Sequence, residues 1–336
     1  MKMVSIIIPT YKGEKTIGRA ILSLCKQSYK NYEVIVVDDN GRNTDHQKAT
    51  EKVIDSFKQR IDLQYIKHEK NLNGAAARNT GIKVAKGDYI CFLDDDDIYL
   101  TNRLSNAVNY LESNPNISIY FSWTLITRNS RLIDIIKPVI CDNPQKQLIL
   151  NTSFFGTGSN IFLRNSVIKD ANGFNELFYR FQDVEFLLRV LDGNAYFVGQ
   201  EIDIIKCNYG TSNLPSVAKF DSSYKLFKKS FGYIINSLDS ESMLIFENRN
   251  ATSRFLCCLG KENTNSIKKA KKELEKIRKL RTTEHVEYIF SLIGIPNLNM
   301  YSILYPFLAK IKSIRGHNSI LRILDPITKS EIKEWF

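Results

Sequence analysis

The chain has 336 residues, 43% hydrophobic and 25% charged, proportions that suit a packed globular protein and exclude disorder as its main state. Its net charge of +11 fits nucleic acid, an anionic membrane surface or a phosphorylated substrate, and the abundance of Lys, Asn and Ile leaves room for a coding bias as well. Six cysteines without a CxxC pair, several inside apolar runs, point to a reduced cytoplasmic setting, and the apolar run Val4 to Ile8 meets Pro9 too soon to be a signal-peptide core or a membrane span.

In chain order, the β-branched run Val4 to Ile8 reads as a buried strand that Pro9 ends. Thr16 to Cys25 sets Ile17, Ala20, Ile21 and Leu24 at helical spacing, and Glu33 to Val37 is a second strand running into Asp38-Asp39. A helix from Asp45 to Phe57, a strand from Leu63 to Ile66 and a helix from Ala75 to Ala85 follow. Tyr89 to Leu93 is a fourth strand, ending in Asp94-Asp95-Asp96-Asp97. This alternation predicts an α/β fold, Rossmann-like with a mainly parallel sheet, whose ligands lie beyond the strands' carboxyl ends. Thereafter the pattern predicts a helix through Leu111, strands at Ile117 to Ile126 and Ser159 to Leu163, and a helix from Asp183 to Leu191. Past about Asn208 the chain turns helical and basic, which places a boundary near residue 215: a catalytic domain over 1–215 and a helical region over 216–336.

Four aspartates at the end of a buried strand repel one another unless a cation or several donors neutralise them. Hard oxygen ligands suit Mg²⁺ or Mn²⁺, and such ions bridge phosphate oxygens, so a diphosphate is the expected companion; a solvated acidic turn or a helix cap is the plain alternative, and the one assigned to Asp97. Asp38 and Asp39 offer acceptors for a base or for ribose hydroxyls, or simply close a strand before Asn40-Gly41. Arg78, opening a small-residue helix, is suited to a phosphate or a base, with a surface arginine as the alternative.

These segments together resemble family 2 inverting glycosyltransferases of the GT-A fold. The resemblance rests on Ile7-Ile8-Pro9-Thr10-Tyr11, Val36-Val37-Asp38-Asp39, Ala77-Arg78-Asn79-Thr80-Gly81, Phe92-Leu93-Asp94-Asp95-Asp96-Asp97, Gly173-Phe174-Asn175-Glu176 and Gln182-Asp183-Val184-Glu185-Phe186, in the family's order across roughly residues 3 to 190. It implies that Pro9, Thr10, Tyr11 and Asp39 hold the base and ribose with Glu14 nearby, and that Arg78 contacts the nucleotide. It also implies that Asp94 and Asp95 lie against ribose and diphosphate, that Asp96 is the metal ligand for Mn²⁺ or Mg²⁺, and that Asp183 is the general base. The implied reaction moves a sugar from a nucleotide-sugar, a UDP-sugar being favoured, to a saccharide hydroxyl in surface polysaccharide synthesis. Lys12, Tyr99 and Gln182 depart from the family's usual Asn, Trp and Glu; a neutral Gln182 alters the field around Asp183.

From Lys261 to Arg281 nine basic residues face three acidic ones on an amphipathic helix, and residues 288–309 are uncharged but broken by Pro296, Asn297, Asn299 and Pro306. The pair predicts peripheral contact at the cytoplasmic face of a membrane, in keeping with a lipid-diphosphate-linked acceptor, or else a packed bundle or homodimer surface. Two other classes account for parts of the sequence. A nucleic-acid-binding protein fits the charge but lacks zinc-finger spacing or an RNP-type motif, and no nucleic-acid partner is expected; an aspartate-based phosphotransfer protein lacks the matching nucleophile-and-lysine set.

Overall fold

The structure, a computed structural model, describes residues 2–128, 131–151, 154–207, 215–259, 263–281, 288 and 326–335. It divides into two compact units: Met1–Glu176, Gln182–Thr211 and Ser319–Phe336 form the first, and Leu177–Phe181 with Ser212–Asn318 the second.

The first unit opens with β1 (Val4–Thr10), α1 (Ile17–Cys25), β2 (Tyr32–Asp38), α2 (Asp45–Asp55), β3 (Leu63–Lys67), α3 (Gly74–Val84) and β4 (Tyr89–Phe92), the succession expected from the sequence. β1 to β4 are parallel, in the order β3-β2-β1-β4. Ile6, Ile8, Val34, Val36 and Cys91 are fully buried in one core with Ile17, Ile21 and Leu24 of α1, which is why the apolar runs read so clearly. Pro9 does not end its strand: β1 continues to Thr10, with Pro9 opposite Val37. The carbonyl of Ile7 accepts from Leu93 N on the β4 side, and by alternation Pro9 turns to that same side beyond the last β4 pair, so its missing N–H costs no ladder bond.

After β4 the sheet changes character. β5 (Ile98–Tyr99), α4 (Arg103–Ser113), β6 (Ile119–Arg128), β7 (Arg131–Ile136), α5 (Pro144–Leu150), a 3₁₀ turn (Gly158–Asn160), β8 (Phe162–Arg164), α6 (Asn165–Asp170), α7 (Gln182–Val190) and β9 (Tyr196–Lys206) complete it. β8 pairs antiparallel with β4, β6 antiparallel with β8 and parallel with β9, and β5 antiparallel with β9, giving the order β3-β2-β1-β4-β8-β6-β9-β5 with β7 on β6. The parallel half therefore carries a mixed extension along its β4 edge. Arg103 is fully buried beneath that extension, donating to Ser122 Oγ and Asn160 O within 5.4 to 5.6 Å of the Tyr99, Tyr120 and Phe162 rings. The helix Pro326–Lys333 belongs to this unit as well: Ile332 packs with Ile98, Leu125 and Ile205, and Glu331 Oε1 accepts from Thr101 N and Oγ1 at 2.6 Å.

The second unit is helical. α8 (Val217–Ser230), α9 (Gly232–Asn236), α10 (Ser240–Cys258) and α11 (Thr264–Glu275) bury Phe220, Phe227, Phe231, Phe246 and Phe255, and Arg254 joins Asp221 of α8 to Glu273 of α11. The apolar stripe of α11, Ile267, Ala270 and Leu274, is buried, so only its lysine faces are open to solvent. Of the second element predicted to touch a membrane, residues 288–309, all but residue 288 lies outside the described residues. Among the described residues no helix is long and apolar enough to cross a membrane.

Candidate functional site

The carboxyl ends of β1, β2 and β4 bring Thr10, Asp39 and the Asp94–Asp97 run to one edge of the first unit, and α7 delivers Asp183 beside them. α7 is held from behind: Phe186 stacks on Phe174 at 4.2 Å, and Phe174 meets Phe92 of β4 edge-on at 5.1 Å. Arg189 grips Glu185 through two contacts of 2.7 and 2.9 Å and donates to the carbonyls of Ala171 and Gly173, which fixes the helix to the loop before it. That pairing commits the buried Glu185 to structure and leaves Asp183, in the first turn, as the carboxylate presented to the site.

Arg78 joins the two sides. Its Nη2 donates to Asp94 Oδ1 at 2.8 Å and lies 3.7 Å from Asp183 Oδ1, its Nη1 reaches Gln182 Oε1 at 3.4 Å, and its guanidinium sits 5.5 Å from the Phe174 ring centre. Buried beside these half-exposed carboxylates, Arg78 remains charged: burial works against its proton, but Asp183 and Asp94 more than compensate. The sequence reading gave it to the nucleotide alone; here it also organises both aspartates. Gly158 lies against the same group, since a Cβ there would stand 2.9 Å from Asp183 Oδ2.

The four consecutive aspartates have four different fates. Asp94 takes Arg78. Asp95 accepts from Thr10 Oγ1 at 2.5 Å, and burial still pushes its carboxyl up to about 6. Gly13 makes that seat possible: a Cβ there would come within 1.9 Å of Asp95 Oδ2. Asp97 caps no helix; it accepts from Ser159 Oγ at 2.7 Å, Thr157 Oγ1 at 3.0 Å and Cys207 N at 3.1 Å, pinning the 3₁₀ turn and the end of β9, while burial lifts it to about 7. Asp96 has no side-chain partner among the described residues, and burial with the charges of Asp94 and Asp95 pushes it up to about 6. Among the described residues no three His, Cys, Asp or Glu side chains converge as a ready-made metal cage. One uncommitted carboxylate, raised by burial and then by its neighbours' charge, is nonetheless a donor that fits a hard cation sharing its shell with phosphate oxygens and water. Residues 94–97 thus fit Mn²⁺ or Mg²⁺ through Asp96, together with a diphosphate.

The base and ribose candidates lie along β1 and β2. Tyr11 is 45% exposed, with the Lys12 ammonium 5.3 Å from its ring centre. Lys12 has φ 59°, a left-handed conformation that the family's usual Asn adopts more readily, and its N–H donates to Asn40 Oδ1 at 2.7 Å. Glu14 meets His46 Nδ1 at 3.0 Å; burial acts to raise its carboxyl, but its backbone amide and His46 hold it below the ordinary value. Asp39 is buried and already receives His68 Nδ1 at 2.7 Å, Leu72 N at 2.8 Å, and Asn71 Nδ2 and Asn73 N at 2.9 Å. Four donors use the full acceptor capacity of a carboxylate, so Asp39 folds the 68–73 loop onto the strand end. Asn73 in turn caps α3, accepting from Ala75 N and Ala76 N, and so aims Arg78.

Sequence reasoning missed Lys206, the last residue of β9. Its Nζ donates to Thr157 Oγ1 at 3.0 Å. Burial pulls its proton affinity down, but Asp97, Asp94, Asp96 and Asp183 push it above the usual lysine value. A single lysine closing the apolar run Ile204-Ile205 reads as an ordinary strand end, so no local signal marked it.

Comparison with known proteins bears on the family and the fold. Residues 5–171 match the family described as Glycosyl transferase family 2. An amylovoran biosynthesis glycosyltransferase, AmsB of Erwinia amylovora, is 32% identical over 191 residues, covering 55% of this chain and 62% of that protein. The Escherichia coli protein WfgD, a UDP-Glc:alpha-D-GlcNAc-diphosphoundecaprenol beta-1,3-glucosyltransferase, is 36% identical over 136 residues, covering 40% of this chain and 51% of that one. The chain thus spans about half to two thirds of the length of these relatives. In fold it is similar to Staphylococcus aureus TarS residues 1–349, solved with UDP-GlcNAc, at a TM-score of 0.51 and 17% identity over 88% of this chain and 91% of that one. The architecture is the GT-A fold, with a helical C-terminal region.

Proposed function

This chain belongs to glycosyl transferase family 2, and from that premise we propose that it moves a sugar from a nucleotide-sugar, a UDP-sugar before others, to a saccharide hydroxyl with inversion at the anomeric carbon. The observation that carries the proposal is Arg78, which joins Asp94 on the donor side to Asp183 on the acceptor side within one ionic cluster. In this reading Pro9, Thr10, Tyr11 and Glu14 take the base and ribose. Asp39 joins them by exchanging one of its loop donors for the base, and Asp94 and Asp95 lie along the ribose and diphosphate.

Asp183 accepts the acceptor's hydroxyl proton as that oxygen forms its bond to the anomeric carbon; the bond from that carbon to the diphosphate oxygen breaks, and its electron pair leaves with the nucleoside diphosphate. One displacement from the opposite face inverts the centre. Arg78, 3.7 Å from the Asp183 carboxylate, holds it in place by charge and offsets its repulsion with Asp94. A Mn²⁺ or Mg²⁺ ion held by Asp96 and the diphosphate supplies positive charge to the departing oxygens when bound. Asp96 alone makes a weak cage, so cation and nucleotide bind best together.

WfgD, by its name, acts on a diphosphoundecaprenol-linked sugar. A lipid-diphosphate-linked acceptor in surface polysaccharide synthesis is accordingly our choice for this chain, with the enzyme at the cytoplasmic face of a membrane. The exposed lysines of α11 suit electrostatic contact with anionic headgroups, while its buried apolar stripe rules that helix out as an inserted one. The catalytic module is placed in residues 1–215, with helix Pro326–Lys333 returning to it, and residues 216–318 remain available for membrane contact or a homodimer. Release of nucleoside diphosphate from a panel of UDP- and GDP-sugars, with and without EDTA, tests the reading: activity should depend on Mn²⁺ or Mg²⁺, and full activity after exhaustive chelation would remove Asp96 from the scheme.

A further inference from the structure

We propose that Lys206 belongs to the donor site, where Asp97 and Thr157 hold its ammonium group ready for an oxygen of the nucleotide-sugar's diphosphate; the proposal rests on the donor reading above. A lysine kept only to neutralise a buried acid would pair with that acid directly. Lys206 does not: among the described residues its one hydrogen bond is to the neutral hydroxyl of Thr157, at 3.0 Å, and it forms no ion pair. An ammonium group has three N–H donors, so two remain for something else.

The support beneath it is directional. Thr157 Oγ1 has a single proton, and Asp97 Oδ2 lies 3.0 Å away to take it, which leaves the oxygen's lone pairs for Lys206 Nζ and for Ser159 N, 3.4 Å away. Asp97 is itself locked by Ser159 Oγ and Cys207 N, so the chain from Asp97 through Thr157 to Lys206 has little freedom. This gives the fourth aspartate of the run a task that its burial alone does not explain. Thr157 Oγ1 also stands 3.4 Å from Asp94 Oδ2, so the ammonium it holds sits next to the carboxylate assigned above to the diphosphate. An anionic oxygen is the group that an available cation in this place would bind, and the diphosphate is the anion that the reaction brings there.

Calorimetric titration in Mn²⁺ with UDP, GDP and dTDP, each against its own nucleoside, separates this role from a structural one. For the nucleotide that the wild type takes, Lys206→Met should weaken the diphosphate by about tenfold or more, the value of a charged hydrogen bond, and leave the nucleoside unchanged. Lys206→Arg should retain more of the preference than Met does. Thr157→Val keeps the charge but removes its support, and should lose several-fold of the diphosphate preference. An unchanged diphosphate-to-nucleoside ratio in Lys206→Met, or an equal loss of both ligands, would overturn the proposal. Should Lys206→Met fail to fold, Thr157→Val decides by the same ratio. If the wild type binds none of the three diphosphates, the donor reading falls and takes the lysine's role with it.

Discussion

Gly158 offers the sharpest test of where the base sits. A Cβ at this position would stand 2.9 Å from Asp183 Oδ2 and 3.3 Å from Arg78 Nη2, whereas ordinary contact begins near 3.4 Å. Gly158 is not in a left-handed conformation, so alanine suits the backbone and the whole effect falls on the two side chains it touches. The carboxylate must retreat by about 0.5 Å, the difference between 3.4 and 2.9 Å. Since a misplacement of about 1 Å costs roughly 100-fold in a positioned reaction, half that displacement costs on the order of tenfold. Gly158→Ala should therefore lower the transfer rate at saturating donor by about tenfold while the nucleoside diphosphate binds as in the wild type. Initial rates and calorimetry on the same preparation give both numbers. A variant that transfers at the full rate would mean that Asp183, in this seat, is not the base.

Asp183→Asn should lower transfer by at least ~100-fold with nucleotide affinity close to wild type, measured by product release and titration; near-normal turnover would move the base elsewhere, and not to Glu185, which Arg189 already holds. Gly13→Ala would drive a Cβ to within 1.9 Å of Asp95, so it should lower stability by about 1–3 kcal/mol in chemical denaturation and weaken nucleotide binding. Unchanged denaturation would show that Asp95 is free to leave its seat. Asp95, Asp96 and Asp97 titrate near 6, 6 and 7 in the folded chain, above the value of about 4 for an unfolded aspartate. Between those values the folded state holds more protons than the unfolded one, so stability in EDTA should fall as pH rises from about 5 to 7, the sign opposite to that of a salt-bridged carboxylate. Melting temperatures that climb steadily over this range would contradict the burial of the cluster.

β1 and β2 were readable because burial on both faces writes continuous β-branched runs, and the polar residues that end β1, β2 and β4 mark the ligand edge. The mixed half was less readable. Its strands are short or irregular, and which neighbour each takes depends on contacts far away in sequence: β9 lies beside β6, and β5 finds β9 across about a hundred residues. At the site, residue types announced the acidic run but not its division of labour. Asp97 looks like Asp96 in the sequence, and only the turn at 157–159 folding over it makes one structural and leaves the other uncommitted. Asp39 is a similar case, since its four donors come from a loop some thirty residues later. The helix at 264–275 was legible as amphipathic, but periodicity gives no sign whether protein or lipid covers the apolar stripe, and here protein does.

A nucleotide-sugar and a divalent cation are expected to share a site built on Asp96. Thermal shift with a panel of UDP-, GDP- and dTDP-sugars, each with Mn²⁺ and with EDTA, on wild type and on Asp96→Ala, tests it most directly, because a ligand that binds only the folded state raises its melting temperature. At least one donor should stabilise the wild type more in Mn²⁺ than in EDTA, and that difference should vanish in Asp96→Ala. A donor shift of equal size in all of these conditions, or none with any donor, would contradict the account.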